Sequence, residues 1–209
     1  MSKTFFFLLV ATFFIDGVSL AQKKVEKLVD ARGISGVVIN DDSVFQIEVT
    51  TGNTDKITMA SVINGENFET AYITSEVVDG MLQISSSRAP YFKDVDDKLA
   101  AHKVLSITLM LIMPENLELW IDSSLASVKA TGEFSLVNLN LGRGDCSLRT
   151  FRGSGTVNTL SGAIHVETLD CKIEAESRHG IKNVDNTPRG TAHLQLRSLT
   201  GDITVTQNQ

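Results

Sequence analysis

A nine-residue period constrains this chain more than any other feature of it. Ile121, Ala130, Leu139, Leu148, Val157, Val166, Ala175 and Val184 stand nine apart, and all are apolar. The segments LRTFRGSGT from Leu148, VNTLSGAIH from Val157 and VETLDCKIE from Val166 show the unit three times in succession, and LRSLTGDIT from Leu196 repeats it. The fourth position of the unit is Phe151, Leu160, Leu169 and Leu199, and the eighth is Cys146, Ile164, Ile173 and Ile203. The sixth is Gly144, Gly153, Gly162, Gly180 and Gly201, with Cys171 as the exception. A glycine at one fixed place marks a corner that needs positive φ or has no room for a Cβ. Alternation of apolar and polar residues around that corner marks short, half-buried strands.

Nine extended residues span at most about 30 Å, enough for one short strand and a bend but too little for a whole turn around a filled core. Two units per turn, on opposite sheets, are therefore expected. Residues eighteen apart should then stack. This places Val157 on Ala175, Thr150 on Thr168, Thr159 on Ser177, Arg149 beside Glu167 and Arg152 beside Asp170. The predicted fold is all-β: a single-domain β-solenoid of nine-residue half-turns, with Leu160 and Ile164 facing inward, capped by an N-terminal set of strands. The rival is an antiparallel sandwich with evenly spaced hairpins, which also shows alternation and glycine corners. Hairpins rarely keep one strict period over so many intervals.

Residues 1–21 read as a secretory signal peptide: Lys3, an apolar run from Phe5 to Ile15, then Ser19-Leu20-Ala21 before the cleavage site. The run is too short for a membrane span, which needs about 20 residues. The mature chain, 22–209, divides into N-terminal strands and a loop (22–120) and the repeat region (121–209). Strands are expected at Gly36–Asn40, Val44–Thr51, Lys56–Ser61, Thr70–Val77 and Met81–Ser86, separated by turn signals such as Asn64-Gly65 and Asp79-Gly80. The run VLSITLMLIM (Val104–Met113) is expected to be a strand buried on both faces. With 25 acidic and 19 basic residues and no basic block, the chain lacks the electrostatic footprint of a nucleic-acid binder.

Chemistry is sparse. Arg88–Lys103 breaks the pattern as a long loop, with a helical turn expected over Asp97–His102. Arg88, Tyr91, Phe92, Lys98 and His102 are the candidate ligand contacts, because such loops carry specific contacts or else simply cover a core. Cys146 falls at an inward position and Cys171 at a corner, on opposite sheets, which argues against a disulfide. The four histidines show no ligand spacing, and Asp94, Asp96 and Asp97 lack the remainder of a calcium loop. No cofactor and no metal are expected. The charges of the repeat, among them Glu167, Asp170 and Glu174, form no recurrent acidic pair, and no nucleophile elbow or phosphate loop is present.

The corner Gly153–Gly155, the segment SGAIHV (Ser161–Val166) and above all LRSLTGDITV (Leu196–Val205) resemble the Gly-Asp-Ile repeats of the bacterial "putative adhesin" family, which includes the auto-transporter adhesin head GIN domains and relatives of unknown function. DGMLQISS (Asp79–Ser86) is similar to the strands that precede the repeats in that family. The match departs at Asp170-Cys171-Lys172, where the glycine corner is missing, and at Arg178, in an inward slot. The resemblance implies an exported β-solenoid and brings no catalytic residues with it. The expected function is a non-enzymatic, adhesin-like binding or structural module of the cell envelope: periplasmic, outer-membrane-associated or secreted. A cell-surface glycan or an envelope protein is the expected partner, and nucleic acid is not. The alternatives are a carbohydrate-active β-helix enzyme and a periplasmic scaffold or sensor partner that offers a sheet edge.

Overall fold

The structure, a computed structural model, describes residues 22–65, 68–88, 105–185 and 190–207. These residues are all-β apart from one 3-10 turn, Phe68–Thr70. Fifteen strands join into one curled sheet. In chain order they are β1 (Gln22–Asp30), β2 (Gly36–Asn40), β3 (Val44–Gly52), β4 (Lys56–Asn64), β5 (Ala71–Val78), β6 (Met81–Arg88), β7 (Ser106–Pro114), β8 (Glu118–Ser123), β9 (Ser127–Leu141), β10 (Cys146–Thr159), β11 (Ile164–Thr168), β12 (Cys171–Ser177), β13 (Lys182–Val184), β14 (Ala192–Ser198) and β15 (Ile203–Gln207).

The long strands β9 and β10 are where the sheet forks. Ser127–Thr131 of β9 pairs with β3, whereas Leu136–Leu141 pairs with β8. β10 likewise gives its first half to β11 and its second half to β14. The first arm therefore runs β1-β4-β7-β3-β9-β10-β11-β15-β13, and the second runs β5-β6-β2-β8-β9-β10-β14-β12. The bend in β9 falls at Gly132, with φ of 110°, where a Cβ would lie 2.2 Å from Thr51 Oγ1. In β10 it falls between Thr150 (φ 43°) and Gly155 (φ 149°). Bulges and left-handed residues of this kind turn a strand sharply enough to serve two sheets. The inward residues of both arms, among them Ile39, Ile47, Leu119, Leu139, Val157, Ile164 and Leu196, form one buried cluster.

Eighteen-residue stacking holds over the central strands. Leu119 pairs with Val137, Val137 with Gly155, Val128 with Cys146 and Cys146 with Ile164, all in parallel register. The sixth-position glycines explain themselves here. A Cβ on Gly144, Gly162, Gly201 or Gly180 would lie 1.9 to 2.2 Å from a carbonyl oxygen of the neighbouring strand's corner, at Ala126, Gly144, Gly162 and Gly201 respectively. Close stacking of backbone excludes a side chain at these four positions, and at Gly153, the other sixth-position glycine, a positive φ of 142° adds to the close approach of the Phe134 carbonyl.

The regular nine-residue coil is not what the sheet shows beyond Thr168. Val157 does not lie on Ala175: Leu196 sits between them, paired with Val157 on one side and Ala175 on the other. The final segment, β14 and β15, is inserted between β10–β11 and β12–β13, so the step from β11 to β15 is 39 residues (Ile164 with Ile203) and that from β13 to β15 is 21 (Lys182 with Ile203). Ser198 and not Ser177 therefore receives the Thr159 hydroxyl, at 2.9 Å. The other stacking expectations also shift. After Leu148 pairs with Val166, the register slips so that Phe151 faces Thr168 in place of Thr150. Arg152 pairs with Glu133 at 3.2 Å, not with Asp170. Ile164 is buried as expected, but Leu160 is 56% exposed, because the fourth position lies outside the corner in that unit. Arg178 is exposed too, its amide bonded to the Ser198 carbonyl at 3.1 Å.

The N-terminal strands join the same sheet. β2 and β3 are parallel to their neighbours, whereas β1–β4, β4–β7 and β5–β6 are antiparallel. β7 is not buried on both faces: it alternates, and Ile112 on its outer side is 52% exposed. β1 was not expected, since it buries almost nothing. Its Lys23 and Lys27 ammonium groups donate to the carbonyls of Ala71 and Ser75 at 3.0 and 3.3 Å, so charge covers the free edge of β5. Residues 1–21, read from sequence as a signal peptide, the helical turn expected at 97–102 and residues 186–189 lie outside the described residues. No helix among the described residues is long and apolar enough to cross a membrane.

Candidate functional site

The outer face of the second arm gathers the polar side chains of this fold. Two rows cross its strands at right angles. One follows the pairing Asn40–Asp122–Asn140–Asn158–Arg197–Glu176. The other follows Glu76–Gln83–Val38–Trp120–Asn138–Thr156–Gln195–Glu174. Both are dictated by alternation: Val37, Ile39, Leu119, Ile121, Val137, Leu139, Val157 and Leu196 point into the core, so their neighbours point out.

Three open depressions lie along these rows. The first, about 380 Å³, is lined by Val38, Asn40, Thr74, Glu76, Gln83 and Ser85, among others. The second, about 420 Å³, is lined by Asp122, Asn140 and Asn158 together with Asp42, Ser124 and Leu160 at the corner. The third, about 240 Å³, lies among Glu174, Glu176, Gln195 and Arg197. Each adjoins the next through register partners: Asn40 of the first faces Asp122 of the second, and Asn158 of the second faces Arg197 of the third.

Several of these side chains are fixed. Asn158 Nδ2 donates to Asn140 Oδ1 at 2.8 Å, an amide ladder on adjacent strands. The indole Nε1 of Trp120 donates to Glu118 Oε2 at 2.8 Å, which lays the ring along its own strand. Asp42 Oδ1 accepts from the Ser124 amide at 2.7 Å and from its hydroxyl at 2.8 Å. These bonds, the amide's foremost, hold the Asp42 carboxyl below its usual range. Glu174 is held down as well, chiefly by its bond from His193, whose ring nitrogen lies 3.0 Å from the carboxylate.

Of the residues expected from sequence to contact a ligand, Arg88 is the last residue of β6, paired with Ala71 and exposed. Tyr91, Phe92, Lys98 and His102 lie outside the described residues. Sequence reasoning passed over Trp120 and the asparagines. The signal was available: Asp122, Asn140 and Asn158 stand eighteen apart at an outward position. Cys146 and Cys171 are buried free thiols, and Cys171 Sγ lies 3.3 Å from the Gly153 carbonyl oxygen. Among the described residues, no three His, Cys, Asp or Glu side chains gather as a metal site would require.

No family model matches the chain, and no curated protein matches it. Solved structures do. A "putative cell adhesion protein" from Clostridium sporogenes is similar with a TM-score of 0.62 and 17% identity, over 90% of this chain and all of that one. A "putative adhesin" from Bacteroides fragilis has a TM-score of 0.35 and 16% identity, over 88% of this chain and 97% of that one. A "putative lipid binding protein" from Parabacteroides distasonis has a TM-score of 0.29 and 13% identity, over 88% of this chain and 95% of that one. The first defines the class as an all-β fold shared, over most of this chain, with that Clostridium protein. At such identity the likeness extends to the fold alone.

Proposed function

We propose that this protein is an exported, non-enzymatic binding module of the cell envelope, adhesin-like in its role. Residues 1–21 serve as the leader. The central strands from Glu118 to Thr168 form a short β-solenoid whose eighteen-residue step builds a broad second arm. The observation that supports this reading most is the outer face of that arm, where polar side chains, mostly amides and hydroxyls over its central strands, lie in strand-crossing rows beside three linked depressions. The fold likeness, over 90% of this chain, to a protein described as a putative cell adhesion protein supports it further.

A carbohydrate-active enzyme would call for a carboxyl held protonated near neutral pH. Among the described residues, the carboxyls that shift, Asp30, Asp42 and Glu174, are all held down instead. Adhesion is tested by coating surfaces with envelope polysaccharides and, separately, with envelope proteins, and measuring retention of the purified mature chain. Saturable retention on either is the expected result. No retention on both excludes the reading.

A further inference from the structure

We infer that the outer face of the second arm binds an uncharged, extended glycan lying across the strands, with Trp120 as its stacking platform. The inference rests on the adhesin-like reading above and names the ligand class and the surface. Four observations carry it.

Trp120 is 36% exposed at the middle of its row, between Val38 and Asn138, with its indole nitrogen bonded to Glu118 and amides and hydroxyls on the strands beyond. A tryptophan with no partner to bury it is an expensive surface residue, and its π face suits the apolar C–H face of a pyranose ring. Asn40, Asn138, Asn140, Asn158, Gln83 and Thr156 lie around it along the two rows. Amides and hydroxyls both donate and accept, as sugar hydroxyls require. From β6 to β10 these two rows carry one charge, Asp122. An acidic glycan would meet that carboxylate and a chain of net charge −6. Finally, the depressions follow one another across eight strands. From β6 to β10, where the rows carry one charge, the track is about 19 Å long at the usual strand spacing, and beyond it lie Glu76 at one end and Arg197, Glu174 and Glu176 at the other. Each step along it is close to the length of one sugar unit, so a linear chain would meet an equivalent outward side chain at every ring. The amide ladder from Asn140 to Asn158 is already set at that spacing.

The test is an array of neutral and acidic oligosaccharides probed with the mature chain and with the Trp120→Ala, Asn140→Ala and Phe45→Ala variants. Phe45 is exposed but lies on the first arm. The expected result is binding to neutral linear glycans, weakened about tenfold or more by Trp120→Ala, weakened by Asn140→Ala and unchanged by Phe45→Ala. Far-ultraviolet circular dichroism checks that each variant keeps its sheet. Neutral-glycan binding that Trp120→Ala leaves intact overturns the assigned surface. Binding confined to acidic glycans and abolished by salt overturns the ligand class. Retention on envelope proteins with no glycan binding overturns this inference and leaves the adhesin-like reading standing, whereas no retention on any surface removes that reading as well.

Discussion

A methyl group is enough to break the corner of this sheet. At residue 162 it would lie 1.9 Å from the Gly144 carbonyl oxygen and 2.5 Å from its carbon, both backbone atoms that cannot swing aside. Gly162→Ala should cost about 2 kcal/mol or more, as overpacking does. Gly52→Ala, with nothing within 4 Å of the new Cβ, should be neutral or slightly stabilising. Chemical denaturation of both variants checks this, and equal midpoints would contradict it. Cys146 is the second residue with a measurable consequence. Burial, helped by Asp145, pushes its thiol from an ordinary 9.0 up to about 12. The folded state therefore holds the proton more tightly than the unfolded state. The stabilisation is full below pH 9 and is lost as pH rises towards 12, at about 1.4 kcal/mol per pH unit. The stability gap between the unaltered protein and Cys146→Ala should narrow over that window. A constant gap from pH 8 to 11 would show that the thiol titrates normally.

At the scale of elements, β14 separates what a regular coil would have stacked. Leu196 is wholly buried between Val157 and Ala175, so Leu196→Ala should cost about 3 kcal/mol. Leu160→Ala, at an exposed fourth position, should cost under about 1 kcal/mol. A regular coil predicts comparable losses at the two sites, so thermal melts of the pair distinguish the two arrangements. The sequence reveals the inward positions well, because first- and eighth-position side chains alternate with polar ones from Ile121 to Ile164. It cannot reveal the order of the last rungs. The twelve-residue gap from Val184 to Leu196 signals extra chain, but either an outward bulge or a return into the stack fits that length. The loss of the glycine at Cys171 was the local cue, since that strand leaves β10 for the far side of β14. β1 was illegible for another reason: a strand that buries almost nothing has no apolar pattern to read. The candidate site was half legible. Its eighteen-residue asparagine spacing is written in the sequence, but the face on which the three depressions line up follows from the fork at β9 and β10.

On the scale of the whole molecule, the fork gives one core two outer faces of different character. The first arm exposes Leu28, Ile112 and Phe45, and the second exposes the amide rows and Trp120, with Tyr72, Val77 and Val78 on its outermost strand. The free edge of β5 is covered by the lysines of β1, bonded to its carbonyls. Replacing Lys23 and Lys27 with threonine should uncover that edge and raise the associated fraction in light scattering at high concentration. An unchanged mass distribution would show that the lysines do not guard it. Trp120 is the chain's only tryptophan, so its fluorescence reports on the proposed glycan track without any label. Titration with a soluble, neutral linear oligosaccharide should shift the emission to the blue and saturate. If the sugar binds by calorimetry while the emission of Trp120 stays fixed, the surface assigned to the ligand is wrong.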